Sequence, residues 1–186
     1  IKNNDILVAG CGTGREAISW ASLRNDCNIL AIDLSFNSLS YGKIKAEQNN
    51  INNIQFLQAD ILNLDKLDKK FDIISSCGVL HHMENPEKGL KVLSSILKND
   101  GYIKLAFYSS YAREGLSKIK DYINQKGLTN EMGNLRKLRK AIKQKNIGID
   151  NHYLEEIEKS IDFYSSNELR DLLFHPSEIN FNLIEI

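Results

Sequence analysis

The chain has no excess of charge of either sign: 24 Lys and Arg balance 24 Asp and Glu over 186 residues. That removes any global attraction to nucleic acid or to an anionic membrane. Cysteine is scarce. Cys11, Cys27 and Cys77 are odd in number and lack paired spacing, which argues against a disulfide framework. Reduced thiols and a cytoplasmic location are the simpler expectation. No apolar run approaches the roughly 18 residues that span a bilayer, so no membrane partner is expected. No cluster of Cys, His or carboxylates lies at ligand spacing, so no metal is expected. A signal peptide, an internal repeat, a low-complexity tract and a Pro/Gly/Ser-rich linker are all missing too. The chain opens abruptly at a strand, as an excised piece would.

What is present is a length suited to one sizeable core. Over the first 108 residues, short β-like runs alternate with amphipathic helical runs. The expected strands are Asp5–Gly10, Asn28–Asp33, Ile54–Gln58, Phe71–Ser76 and Gly101–Tyr108. Helices are expected at Gly14–Arg24, Phe36–Asn50 and Pro86–Leu97, with a short helical turn near Leu64–Asp68. This order predicts an α/β fold, a mostly parallel sheet with helices on both faces. Runs such as Ile29-Leu30-Ala31-Ile32 are apolar without alternation, as strands covered on both faces should be.

From Tyr111 the pattern turns to charged helical runs: Tyr111–Gln125, Glu131–Gln144, His152–Asp162, and a helix through Phe174 opened by the Ser165/Glu168 capping box. We read one domain over 1–186: a cofactor-binding core at 1–110, a helical cap at 111–175 that shapes an acceptor pocket, and an extended tail at 176–186. The basic run Arg136–Lys145 sets Leu135, Leu138 and Ile142 at helical spacing and reads as a solvated face.

Chemistry concentrates in "ILVAGCGTGREA". A strand that runs into Gly10, Gly12 and Gly14 and then a helix makes a tight turn. Glycine there lets a ligand approach the backbone, and the helix start offers free N–H groups. Asp33 ends the second strand, where an acid of nucleotide-binding folds accepts from ribose hydroxyls. Ser35 can cap the following helix, which leaves Asp33 available. Asp60, after the third strand, can accept from an adenine amino group while Ile61 packs on the ring; it is equally an ordinary turn-initiating Asp. The dinucleotide pattern fails when counted from Gly10 and is met from Gly12 to Ala17. A nicotinamide cofactor is therefore open, provided the first strand runs two residues further. His81 and His82 follow strand four at the carboxyl edge of the sheet. Imidazoles as a class titrate near neutrality, and adjacent positions point to different sides, so one of the two at most is a catalytic base.

The ordered set "VAGCGTG", "AIDLS", "QADI" and "FDIISSCGVLHHMENPEKGLKVLSSILKNDGYI" resembles the class I S-adenosylmethionine-dependent methyltransferases over residues 5–108. The resemblance implies a Rossmann-like fold and methyl transfer from S-adenosyl-L-methionine to a small or mid-sized acceptor. It implies a methionine-binding turn at Gly10, Cys11, Gly12, Thr13 and Gly14. It also implies a ribose contact at Asp33 beside Leu34, an adenine contact at Asp60 and Ile61, and a loop at Cys77 and Gly78 lining the cofactor. Two departures stand out. Val8 occupies the place of a usual acidic anchor, and the family's closing antiparallel hairpin has no counterpart after Tyr108. The stretch "DFYSSNELRDLLFHP" resembles part of bacterial methyltransferases that sit inside larger multidomain chains, so further domains are expected as partners. Two rival readings are a nicotinamide- or nucleotide-binding enzyme and a non-catalytic cofactor-binding module.

Overall fold

The computed structural model describes residues 4–175 and 179–181. Cα packing divides the chain into two compact units, Ile1–Phe107 and Tyr108–Ile186. Among the described residues no helix is long and apolar enough to cross a membrane.

The first unit is built on five parallel strands: β1 (Asn4–Ala9), β2 (Cys27–Asp33), β3 (Ile54–Gln58), β4 (Phe71–Cys77) and β5 (Leu97–Ala106). Their order across the sheet is β3-β2-β1-β4-β5. The chain therefore starts in the middle, winds outward one way, then crosses back and winds outward the other way. This order places a switch point between β1 and β4, where a crevice opens at the carboxyl ends.

Period-two alternation sorts β1 into two cores. Leu7 and Ala9 join Ile32, Ile61, Leu64, Ile74, Leu80 and Leu93 on one face. Ile6 and Val8 join Ala17, Ala21, Ile29 and Ala31 on the other. Four helices cover the two faces. The α1 (Arg15–Leu23) and α2 (Phe36–Gln48) helices lie on one, α3 (Pro86–Ser95) and a 3-10 segment at Ile61–Lys66 on the other. Ser35 caps its helix as expected, and Asn85, not assigned from the sequence, caps another. Ser35 accepts from the Ser38 N–H at 3.2 Å, and Asn85, followed by Pro86, accepts from the Lys88 N–H at 2.9 Å.

Two expectations for this unit need correction. The helical turn expected at Leu64–Asp68 forms earlier, as the 3-10 segment, because Asp60 caps it by accepting from the Leu62 N–H at 2.9 Å. The fifth strand begins at Leu97, not Gly101, and ends at Ala106, not Tyr108. The Asn99-Asp100-Gly101 turn signal is absorbed as a bulge. The step from Phe71 to Ile73 in β4 faces the longer step from Leu97 to Tyr102 in β5. A side chain at Gly101 would meet the Asp72 carbonyl oxygen at 2.9 Å, so the bulge brings two backbones together.

The second unit packs four helices around its own core: α4 (Glu114–Gln125), α5 (Met132–Lys143), α6 (Asn151–Lys159) and α7 (Ser166–Phe174). Leu116, Ile119, Leu135, Leu138, Ile142, Leu154, Phe163 and Leu169 fill it. The helix expected at His152–Asp162 breaks at Ser160, whose hydroxyl accepts from the Asp162 N–H at 3.3 Å and starts a 3-10 turn at Ile161–Phe163. The helix expected from Tyr111 starts at Glu114. The basic α5 buries Leu135, Leu138 and Ile142, as its spacing foretold, and exposes Arg136, Lys137, Lys140 and Lys143. Arg139 departs from the solvated-face reading, half-buried over the Phe163 ring and donating to Ser166 Oγ at 3.4 Å. Just beyond the helix, Lys145 pairs with Glu155. Of the tail expected at 176–186, only Ile179–Phe181 lies inside the described residues. There Phe181 makes a parallel bridge to Ser109.

Candidate active site

At the carboxyl ends of β1, β2, β3 and β4 the first unit holds a cleft of about 360 Å³. It is lined by backbone and side chains of Gly10, Gly12, Asp33, Leu34, Asp60 and Ile61, and is closed by Gly78, Val79, His82 and Met83. An apolar crevice with a few converging polar groups at a switch point is where open α/β sheets bind ligands.

Its floor is the glycine turn. β1 ends at Ala9, and the N–H groups of Gly10 and Cys11 both donate to the Ile32 carbonyl, at 2.9 and 2.8 Å. The chain therefore turns at Gly10. The nicotinamide pattern from Gly12 to Ala17 required the strand to continue two residues further, and that requirement is not met. Gly10 (φ +76°) has no room for a side chain: a Cβ would lie 2.3 Å from Val79 Cγ2. Gly12 (φ +52°) has nothing within 4 Å of that position and opens on the cleft. Gly14 is buried and packs against Phe56 of β3 and Gly42 of α2. Close packing by the side chains of Val79 and Phe56 thus explains two of the three glycines, and open space for a ligand explains the third.

Asp33 is not free, contrary to the expectation drawn from Ser35. Its Oδ2 accepts from the Gly12 N–H at 2.7 Å and its Oδ1 from the Ser35 N–H at 2.9 Å. The carboxylate ties the glycine turn to the entry of α2, and each oxygen keeps a further lone pair for a ligand hydroxyl. Leu34 beside it is 67% exposed, an apolar side chain held on the cleft rim by backbone geometry. Its carbonyl accepts from Gln58 Nε2 at 2.8 Å. Asp60 realises the turn-initiating role while still lining the cleft, and Ile61 presents a largely buried face there.

The remaining expected residues lie around this cleft. Cys11, Thr13, Gly14 and Cys77 are not among its lining residues. Burial, then the charge of Asp33, pushes the Cys11 thiol up to about 12, so it stays protonated and is no nucleophile. Cys77 Sγ lies 3.6 Å from Ser75 Oγ, one residue before Gly78 in the cleft wall. The two histidines divide as adjacent positions should. His81 is fully buried, whereas His82 lines the cleft; their ring centroids are 4.2 Å apart. Arg15 is exposed at the first position of α1. Sequence reasoning missed Ala59, Val79 and Met83 as lining residues. It also missed Gly42, where a Cβ would lie 2.9 Å from the Thr13 carbonyl oxygen and 2.8 Å from Phe56 Cε1. For Val79 and Met83 no local pattern signals the role, since both read as ordinary apolar loop residues.

A family model described as a methyltransferase domain matches residues 2–157. The chain belongs to the methyltransferase-domain family. It is of the S-adenosylmethionine-dependent, Rossmann-like kind that its motifs resemble. An uncharacterized protein of Synechococcus is 33% identical over 119 residues, 63% of this chain and 28% of the relative. A ubiquinone biosynthesis O-methyltransferase of Acinetobacter baumannii is 28% identical over 58% of this chain and 44% of its own length. In fold, the domain is similar to PKMT2 from Rickettsia typhi, solved also with AdoHcy. The first of these two structures superposes with a TM-score of 0.81 at 22% identity, over 97% of this chain and 36% of that one. An S-adenosylmethionine-dependent methyltransferase from Clostridium acetobutylicum matches with a TM-score of 0.53 at 26% identity, over 60% of this chain and 46% of that one. The methyltransferase domain thus spans less than half the length of these relatives.

Proposed function

We propose that this methyltransferase domain binds S-adenosyl-L-methionine in the cleft over Gly12 and transfers its methyl group to a small or mid-sized acceptor. The observation that carries the reading is the junction of Asp33 with Gly12. One carboxylate fixes the turn whose open side faces the cleft, and it retains lone pairs for a ribose at the same wall. The fit is chemical as well as spatial. Leu34 and Ile61 offer apolar surface for a purine, and Asp60 stands beside them to accept from an exocyclic amine.

When bound, the cofactor supplies a sulfonium methyl that is already activated for in-line displacement. The protein's part is alignment, which in oriented systems lowers a barrier by about 7–11 kcal/mol. Gly10 and Gly12 let the backbone approach, Asp33 and Asp60 set the orientation, and Val79 with Met83 limits water on the far wall. His82, on that wall, is the residue we place as acceptor of a proton from a neutral substrate. Cys11, Thr13, Gly14, Cys77 and Gly78 belong to the same binding region by their place in the turn, at the end of β4 and just after it.

Calorimetric titration with S-adenosylhomocysteine tests this. Asp33→Ala should weaken binding by roughly 1–3 kcal/mol, the worth of a hydrogen bond to a charged group. Unchanged affinity would move the ribose elsewhere. Binding of NAD with no response to S-adenosylhomocysteine would overturn the assignment.

A further inference from the structure

Helix α5 carries Arg136, Lys137, Arg139, Lys140 and Lys143 and no acidic residue in its 12 residues. Like charges three or four positions apart repel on a helix surface. Arg136 stands so to Arg139 and Lys140, Lys137 to Lys140, and Lys143 to Arg139 and Lys140. Other helices relieve their lysines with a glutamate one turn away, Glu87 for Lys91 on α3 and Glu114 for Lys118 on α4. Among the described residues none of these α5 cations has an ion-pair partner. A chain with no net charge has thus gathered uncompensated positive charge on one helix.

The cations do not stand alone. The 3-10 turn at Ile161–Phe163 and the residue after it set two aromatic rings against them. Lys143 Nζ lies 5.9 Å from the Phe163 ring centre and 5.2 Å from that of Tyr164. The Arg139 guanidinium lies 6.0 Å from the Phe163 ring centre, and its bond to Ser166 Oγ at 3.4 Å fixes its orientation. Phe163 is buried, but Tyr164, set edge-on to it, is 60% exposed. The basic run contains no aromatic residue, and the fold brings one to it from a distant segment. The apolar side of α5, Leu135, Leu138 and Ile142, is sealed in the core of the second unit. The helix therefore has no apolar face to lay into a bilayer.

We propose that α5 and Tyr164 form a binding surface for single-stranded nucleic acid, the cations meeting successive phosphates and Tyr164 stacking on a base. Positive charge that tracks a backbone, joined to an aromatic ring for sequence-tolerant stacking, is how single strands are held. Arginine adds paired hydrogen bonds to phosphate oxygens. An acidic peptide would answer the charges and leave the exposed ring without a partner. These residues all belong to the second unit, and methyl transfer in the cleft of the first stands whatever this surface binds.

A short fluorescein-labelled single-stranded RNA of mixed sequence, titrated with the domain and read by fluorescence anisotropy, tests this. Log affinity should fall against log salt with a slope of about −2 to −3.5, for three to five phosphate contacts. The exposed residues Arg136, Lys140 and Lys143 can be replaced without disturbing the core. Arg136→Gln/Lys140→Gln/Lys143→Gln should remove about 2 from the magnitude of that slope. Tyr164→Ala should weaken binding by about 5- to 150-fold and leave the slope unchanged. Lys43→Gln/Lys70→Gln/Lys88→Gln, three exposed lysines of the first unit, should leave both unchanged. No binding at low salt, an equal loss in the two triple variants, or unaltered affinity in Tyr164→Ala would overturn the proposal. So would a poly-glutamate peptide that competes as well as unlabelled RNA, which would assign the surface to an acidic protein segment.

Discussion

Gly10→Ala and Gly12→Ala make a matched pair whose effects should separate stability from binding. Both glycines have positive φ, where an L-residue costs roughly 1–2 kcal/mol. At Gly12 the cost ends there, because nothing lies within 4 Å of the new methyl. At Gly10 the methyl would sit 2.3 Å from Val79 Cγ2 and 2.8 Å from Cγ1, far inside contact distance. Relieving that overlap requires Val79 and its loop to shift, an overpacking cost of about 1–3 kcal/mol. Gly10→Ala should then destabilise by about 2–5 kcal/mol and Gly12→Ala by about 1–2 kcal/mol. Urea denaturation, read from midpoint at constant slope, measures both. Adding Val79→Ala should recover part of the loss in Gly10→Ala but none in Gly12→Ala, with a coupling of about 1–3 kcal/mol for the first pair. Affinity for S-adenosylhomocysteine should reverse the ranking relative to stability. Gly12→Ala puts its methyl into the cleft and should abolish tight binding in a domain that remains folded. Equal destabilisation by the two substitutions, or unaltered affinity in Gly12→Ala, would refute the division of the turn into a packed and an open glycine.

Other expectations follow from the same geometry. Cys11, with its thiol held near 12 by burial and by Asp33, should resist iodoacetamide at neutral pH, and mass spectrometry of the alkylated tryptic peptides reads this directly; rapid labelling of Cys11 in the folded domain would contradict it. Asp72 is held below its ordinary value of 3.8, first by Lys98 and then by the Asp5 N–H. Its contribution should be present above that value and be lost as the pH falls below it, so the difference between Asp72→Asn and wild type should be at most about 1 kcal/mol at neutral pH and should vanish in acid melts. Gly115→Ala tests the seam between α4 and α6. An open helix site would gain about 1 kcal/mol from alanine, but a methyl here would lie 2.8 Å from Tyr153 Cβ, so thermal melting should show a loss. Leu138→Ala should cost about 2–5 kcal/mol as a core truncation in the second unit.

The elements that could be read from sequence are those whose cause is local. Ile54–Gln58 matches its strand to the residue, and Ser35 and Ser165 cap as their types and spacing require. The glycine turn and the acids ending β2 and β3 could be placed at one sheet edge because alternation of strands and helices fixes topology. What escaped is what depends on distant partners. Asn99-Asp100-Gly101 looks like a turn in any short window, and only pairing of β5 with β4 converts it to a bulge. Asp33 looks available because its two N–H donors belong to Gly12 and Ser35, one of which arrives from another strand's end.

Val8 shows why the sorting between local and distant causes matters for function. Read along the chain, an apolar residue at that place is a lost anchor and weakens the case for a working cofactor site. Read across the sheet, Val8 is one member of a row whose next member, Ser75, is a buried hydroxyl bonded to Glu16. Neither Ser75 nor Glu16 is unusual in its own segment: one is a small residue in "ISSCG", the other an acid in a first helical turn, where the dipole favours it. Their meaning comes from register, since a shift of β4 by one residue would turn Ser75 to the opposite face and bring Ile74 over to α1. The same register that keeps Leu7 and Ile74 in one core therefore also keeps the hydroxyl under Glu16. A carboxylate carried by a helix over a buried strand hydroxyl is invisible to a motif and plain in a sheet.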